Sequence, residues 1–331
     1  MEAVLNSGIT LILAIQNSGA WLLAPMQFFS FLGSEEFFLA VLPVVYWCIN
    51  SQAGLKIGVI VLFSSGINDI FKLLFHSPRP YWYSTQVKAL SAETSFGLPS
   101  GHAQISTSFW GMAAVTARRA WFWLVAVFLI IMIGISRLYL AVHFPIDVLT
   151  GWAIGAIILW LFVRYWETAS TWAGNKTFNQ QIMLTILISA LILISGCLPY
   201  LQLGSWTIPA QWIENAHRAG TEDLPAPVSL NTTITSAAGL FGMLIGLAWM
   251  NARGGFSSEG TTNQKFLRFL VGTVGNLIIY LGLRAIFPRG DALIPYILRF
   301  LRFALIGLWI TAGAPWLFTR FKLAEKANKT N

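Results

Sequence analysis

The sequence predicts an all-α fold, a polytopic bundle of transmembrane helices, and three observations predict it. Hydrophobic residues make up 56% of the 331 and charged residues only 10%, where an ordinary soluble domain carries about 25% charged residues. Apolar runs recur that reach the roughly 20 residues a helix needs to cross a bilayer. The 15 tryptophans suit the interfacial belts, where an indole keeps its ring in hydrocarbon and its N–H in water.

The elements follow in order. Residues 1–17 are apolar but broken by Asn6, Gln16 and Asn17, and residues 21–32 complete the first hydrophobic unit. Gly33-Ser34-Glu35-Glu36 is a turn whose acids open the next helix. Residues 37–49 cross back, and residues 55–75 form the third span, stopped by Pro78 and Pro80. Residues 81–98 are a polar and aromatic loop. The fourth span covers residues 101–117, Arg118-Arg119 marks a turn, and residues 121–142 return. Pro145, suited to a helix's first turn, opens the sixth span, which ends near Tyr165. Residues 166–179 read as a polar linker and residues 202–228 as the longest loop. Four further spans are expected at about 181–201, 229–250, 266–287 and 294–318.

The net charge of +8 points to cytoplasmic loops and anionic lipid headgroups; no nucleic acid partner is implied. Lys56, Arg118, Arg119, Arg164, Lys176, Arg253, Lys265, Arg268, Arg320, Lys322, Lys326 and Lys329 fall on one side of this topology. Lys88, Arg218 and Arg289 fall on the other, so the positive-inside rule places both termini in the cytoplasm. Met1 to Gly8 lacks the basic start of a cleavable signal peptide. Cys48 and Cys197 lie in apolar segments and are expected to pack as small hydrophobes.

Three polar clusters interrupt the apolar sequence between Lys72 and Asp147. They are Lys72 with Arg79-Pro80, then Pro99-Ser100-Gly101-His102, then Ser136-Arg137 with His143 and Asp147. Counting crossings brings all three to one membrane face, at the ends of four helices and opposite the positive side. Lys72 and Arg79 are seven apart, two turns along one face if the helix continues past Pro78. Arg137 offers a guanidinium fork that matches phosphate oxygens. Ser100 and Gly101 open a helix, where free N–H groups and the dipole favour an anion. His143 can attack phosphorus through one ring nitrogen while the other donates to Asp147, one turn on. His102 can protonate the leaving oxygen, and the cations stabilise charge on the transferring group. No carboxylate cluster points to a metal, so neither a metal nor another cofactor is expected.

These clusters resemble the signature of the type 2 phosphatidic acid phosphatase superfamily. The resemblance implies that His143 becomes phosphohistidine, that Asp147 is its partner and His102 the general acid. Lys72, Arg79, Ser100, Gly101 and Arg137 would hold the phosphate. It implies a six-helix phosphatase core within residues 1–166, followed by additional C-terminal transmembrane helices in residues 167–331. Arg79-Pro80-Tyr81-Trp82, Glu93-Thr94 and residues 137–145 are also similar to glucose 6-phosphatases, whereas Asp147 departs from that subgroup and fits bacterial lipid enzymes.

The expected function is therefore hydrolysis of a lipid phosphate monoester or diphosphate, with the lipid bilayer as the other partner. A soluble sugar phosphate, a lipid phosphotransferase and a transporter are the alternatives. The expected location is a bacterial inner membrane with the site facing outward, or an organelle membrane with a lumenal site. Several residues keep two accounts open. Glu93 either folds its loop onto the site or is solvated. Asn68 and Asp69 either bond between helices or pair with Lys72, or they serve the site. Arg284, Arg299 and Arg302 either snorkel to headgroups or form a second basic surface.

Overall fold

A computed structural model describes residues 2–288 and 290–327, and every regular element in them is helical. Arg289 and Lys329, counted in the charge asymmetry, lie outside the described residues. Helices α1 (Glu2–Gln16) and α2 (Leu23–Phe31) meet at 92° through a 3-10 turn. Gly19 sits in that bend with φ 128, a conformation that lacks a steric cost only without a Cβ. Helix α3 (Glu35–Val44) widens into a π turn at Val45–Ile49 before α4 (Ser51–Phe75) and the single turn α5 (Pro80–Tyr83). Then come α6 (Gly101–Ala117), α7 (Ala120–Tyr139), α8 (Pro145–Gly174), α9 (Phe178–Gln202) and α10 (Ala210–Arg218). The rest is α11 (Asn231–Asn251), α12 (Thr262–Leu277), α13 (Leu283–Ile286), α14 (Leu293–Leu308) and α15 (Ala314–Arg320).

Among the described residues, seven helices are long and apolar enough to cross a membrane, and up to eight if the bent α1–α2 pair is one span. The chain is a multi-pass membrane protein. Two expected spans fall below that length: α3 with its π turn, and α6 at 17 residues.

Two local expectations change, and one condition left open by the sequence is resolved. The polar stretch after Trp166 is mostly helix, because α8 continues to Gly174; once a helix is running, each further residue adds a bond at little nucleation cost. The long loop contains α10, opened after Pro209, with Ala216 and Asn215 buried on one face. And α4 does not carry Arg79. It stops at Phe75, His76 turns into the left-handed region at φ 36, and Arg79 belongs to the start of α5. Pro78 and Pro80, which cannot supply helix N–H donors, account for the break.

The chain folds as two compact units that interleave along the sequence. The first comprises Met1–Phe37, Ile67–Val163 and Gly196–Ser229; the second comprises Phe38–Gly66, Arg164–Ser195 and Leu230–Asn331. In the first, Ile9, Ile12, Tyr81, Trp82, Val142 and Phe144 build the core. Helices α6 and α8 cross closely there: a Cβ on Gly151 would lie 2.7 Å from the Ser100 carbonyl oxygen, and one on Gly155 2.6 Å from that of Gln104. Small residues at such crossings are how membrane helices approach. In the second unit α11 packs on α14 by the same device, since a Cβ on Gly242 would collide with the Ala304 carbonyl. Arg268 is buried there and donates to the carbonyls of Trp47, Ser258, Glu259 and Leu323. Arg299 donates to the Thr235 hydroxyl at 3.2 Å, and Arg302 lies over the rings of Tyr280 and Phe303. Both cysteines are free thiols.

Candidate active site

All eight residues singled out from the clusters lie in the first unit. The backbone explains how they meet. Ser100 caps α6, its side chain accepting the Ala103 amide, while its own N–H donates to the Asp147 carbonyl at 2.9 Å. That bond ties the start of α6 to the first turn of α8. After α7 the chain turns back through Ala141 at φ 55, and the amides of Val142 and His143 both donate to the Arg137 carbonyl, at 3.2 and 3.4 Å. His143 is thereby tied to the last turn of α7, which carries Arg137.

The histidine's tautomer follows from its neighbours. Arg79 Nη1 lies 3.3 Å from His143 Nε2. A guanidinium has donors and no acceptor, so Nε2 must present its lone pair. The proton then sits on Nδ1, which faces Asp147 Oδ2 at 3.3 Å. Oδ2 also accepts the Phe144 amide at 2.8 Å. His143 and Asp147 are buried. Burial pushes the imidazole's protonation well below its ordinary value, and Arg79 and Arg137 push it the same way. A neutral ring whose Nε2 carries the lone pair has the form that nucleophilic attack requires.

Arg79 is held as a fixed cation. Its Nε donates to the Ser95 carbonyl at 2.6 Å, Nη1 to Val142 at 2.8 Å, and Nη2 to the Ser95 hydroxyl at 3.0 Å and the Phe96 carbonyl at 3.2 Å. Its carbon lies 5.8 Å from the ring centre of Trp82. Lys72 reaches the same Ser95 hydroxyl at 2.8 Å. Gly101 is packed so that a Cβ would lie 3.1 Å from Asn68 Oδ1. Asn68 itself bonds between helices, donating to Gln104 Oε1 at 2.9 Å and to the Pro99 carbonyl at 3.3 Å. His102 is half-buried and within electrostatic reach of Arg137, Glu93, Lys72 and Arg79. Its ring packs where a Cβ on Gly33 would approach Cδ2 to 3.4 Å.

Four residues lay outside the sequence motifs. Ser30 accepts from Arg137 Nη1, and Ser95 collects Lys72 and Arg79. Glu93 pairs with Arg137 Nη2 and sits 3.7 Å from Arg79 Nη2, so its loop does fold onto the cluster. Asn215 of α10 donates to the Trp82 carbonyl at 2.9 Å. Only Glu93 carried a signal in the sequence, through the likeness of Glu93-Thr94 to glucose 6-phosphatases. His76 lies against the rings of Phe96 and Trp206, and His217 lines an open surface pocket with Glu214 and Arg218.

Such a site offers an anion one buried neutral imidazole, several fixed cations, a helix N-terminus and a second imidazole. Comparison with known proteins gives this arrangement a lineage. Residues 53–171 match the PAP2 superfamily, and residues 234–326 match the PAP2 superfamily phosphatase, transmembrane extension. Glucose-6-phosphatase 3 of Bos taurus is 28% identical over 360 residues, covering 98% of this chain and 98% of its own. Undecaprenyl-diphosphatase of Sulfolobus acidocaldarius is 28% identical over 148 residues, 43% of this chain and 70% of its own. The crystal structure of a PAP2 type phosphatidylglycerolphosphate phosphatase from Bacillus subtilis is similar over 51% of this chain and 88% of that one, at 22% identity and a TM-score of 0.45. With one superfamily matched in both halves of its sequence, and the matched cluster residues gathered in one unit, the chain belongs to the type 2 phosphatidic acid phosphatase (PAP2) superfamily.

Proposed function

We propose that this membrane phosphatase hydrolyses a phosphate monoester or diphosphate through a covalent phosphohistidine on His143. The observation that carries it is the pair of contacts on the His143 ring, Nε2 at 3.3 Å from Arg79 Nη1 and Nδ1 at 3.3 Å from Asp147 Oδ2, which together favour the proton on Nδ1 and the lone pair on Nε2. In the first step the Nε2 lone pair forms a bond to phosphorus as the bond to the leaving oxygen breaks. His102 gives that oxygen its proton. In the second step water attacks phosphorus, His102 takes the water proton, and the P–N bond breaks to return neutral His143 and inorganic phosphate. Lys72, Arg79, Arg137, the Ser100 hydroxyl and the Gly101 N–H stabilise the charge on the equatorial oxygens. Neither step calls on a metal ion.

Helix ends at the rim of a bilayer are reachable by a headgroup whose tails stay in hydrocarbon, which favours a lipid phosphate. Undecaprenyl-diphosphatase and the probable sphingosine-1-phosphate phosphatase of Dictyostelium discoideum support that class over about half of this chain. A sugar phosphate is the second candidate, favoured by the end-to-end likeness to Glucose-6-phosphatase 3. The charge asymmetry of the loops favours an outward or lumenal site.

The test is phosphate release by purified protein in detergent with a chelator present, across lipid monophosphates, lipid diphosphates and sugar phosphates. Release by wild type and its loss in His143→Ala is the expected result. Undiminished release by that variant would falsify the nucleophile assignment, and turnover that stops with chelator would overturn the metal-independent scheme.

A further inference from the structure

Arg79 and Arg137 converge on one carboxylate. Glu93 Oε1 bonds Arg137 Nη2, and its Oε2 lies 3.7 Å from Arg79 Nη2. Arg137 bonds the carboxylate, and Arg79, whose Nη2 hydrogens go to Ser95 and Phe96, adds its charge from 3.7 Å; a phosphate with several oxygens would suit the same pair. The Glu93 backbone is fixed at both ends by a single buried hydroxyl. Tyr81 Oη accepts the Glu93 amide at 2.9 Å and donates to the Glu93 carbonyl at 2.9 Å. The side chain is the movable part, and it keeps 28% exposure while Arg79 beside it has none. Burial alone would raise the carboxyl's pKa, but Arg79, Arg137, His102 and Lys72 outweigh burial and hold it well below the usual carboxylate range. Mild acid therefore cannot release it.

We propose that Glu93 is a resident surrogate for the substrate phosphate: it occupies the arginine pair in the resting enzyme, yields to the incoming phosphoryl group, and returns to help expel the product. The proposal rests on the phosphate-binding role assigned above to Arg79 and Arg137. A surrogate anion keeps two buried cations compensated between turnovers, which isolated buried charge would not tolerate. It also weakens phosphate binding, because phosphate must displace it and then sit beside a like charge. Ser95, neutral and shared by Lys72 and Arg79, shapes the same pocket without competing for it electrostatically.

The experiment measures competitive inhibition by inorganic phosphate and by orthovanadate on the full chain in detergent, for wild type, Glu93→Gln and Ser95→Ala. Removing the competing charge should lower both inhibition constants by roughly tenfold in Glu93→Gln, and kcat should fall as product leaves more slowly. Ser95→Ala should show no tightening. Unchanged or weaker phosphate binding in folded Glu93→Gln overturns the proposal. Should that variant not fold, a vanadate-bound structure of the unaltered protein decides. Glu93 found away from both guanidinia supports displacement, and Glu93 still on Arg137 beside the vanadate refutes it. Wild type that binds neither anion would instead overturn the phosphate site itself.

Discussion

One oxygen of Asp147 serves two donors: Oδ2 lies 3.3 Å from His143 Nδ1 and 2.8 Å from the Phe144 amide, while Oδ1 is buried with no hydrogen-bond partner. The carboxylate thus fixes both the ring and the backbone that carries the ring. Asp147→Asn should keep the fold and lower kcat by about 10²–10⁴-fold, since an amide can turn its NH₂ toward Nδ1 and favour the wrong tautomer. Rapid acid quench with radiolabelled substrate checks this through a smaller yield of phosphohistidine. Near-normal turnover would remove Asp147 from the proposed scheme.

The same ring sets a pH dependence. His143 stays neutral in the folded chain well below its ordinary value of 6.5. A histidine with a depressed folded pKa contributes stability that is present above its unfolded pKa and lost as pH falls below it. The wild-type thermal midpoint should therefore decline on lowering the pH from about 7.5 to about 5.5, more steeply than in His143→Ala. Parallel declines in the two proteins would contradict the buried neutral ring. For kcat/KM, which reports the free enzyme, no loss near 6.5 should arise from His143.

Glycine at the α6–α8 crossing is a steric requirement. A Cβ at residue 151 meets the Ser100 oxygen at 2.7 Å and the Ala103 Cβ at 3.1 Å. Gly151→Ala should cost about 1–3 kcal/mol by overpacking and depress kcat by shifting Ser100 against the histidine. Gly174→Ala is the control, because nothing lies within 4 Å of that site; its effect should stay within about 0.5 kcal/mol. Thermal unfolding of both variants, with equal midpoints as the adverse result, makes the comparison.

In the second unit Arg268 collects four backbone carbonyls. Lysine has a charge there but no planar fork, so Arg268→Lys should leave buried carbonyls unsatisfied and cost about 2–4 kcal/mol. A thermal midpoint equal to wild type would show that water replaces the lost donors.

What the sequence made legible was whatever hydropathy and crossing number control. Alternating spans bring Ser100, His143 and Arg137 to shared helix ends, and the i,i+4 spacing sets His143 on Asp147. The break before Arg79 was marked by its prolines, yet the rotation it imposes was not, because a left-handed His76 has no compositional signature. Ser30 and Ser95 were silent for another reason. Their contacts join residues 107 and 23 positions apart, and a lone serine in a membrane protein has no periodicity to betray its partner. The π turns at Val45–Ile49, Ile278–Gly282 and Trp309–Gly313 escape hydropathy as well, since one added residue alters facing without altering greasiness. Helix α10 hid in a polar segment because its support is tertiary: Asn215 on Trp82, and Trp212 against the same ring at 5.8 Å.

That last packing bears on how small a working version of this enzyme can be made. Trp206 stacks edgewise on Phe96, Trp212 covers Trp82, and Trp82 in turn lies beneath the Arg79 guanidinium. A truncation after residue 166 would retain every side chain expected to touch phosphate, yet strip the indole wall from behind one of them. Anyone trimming the gene to a minimal catalytic fragment would need to graft residues 196–229 back onto it.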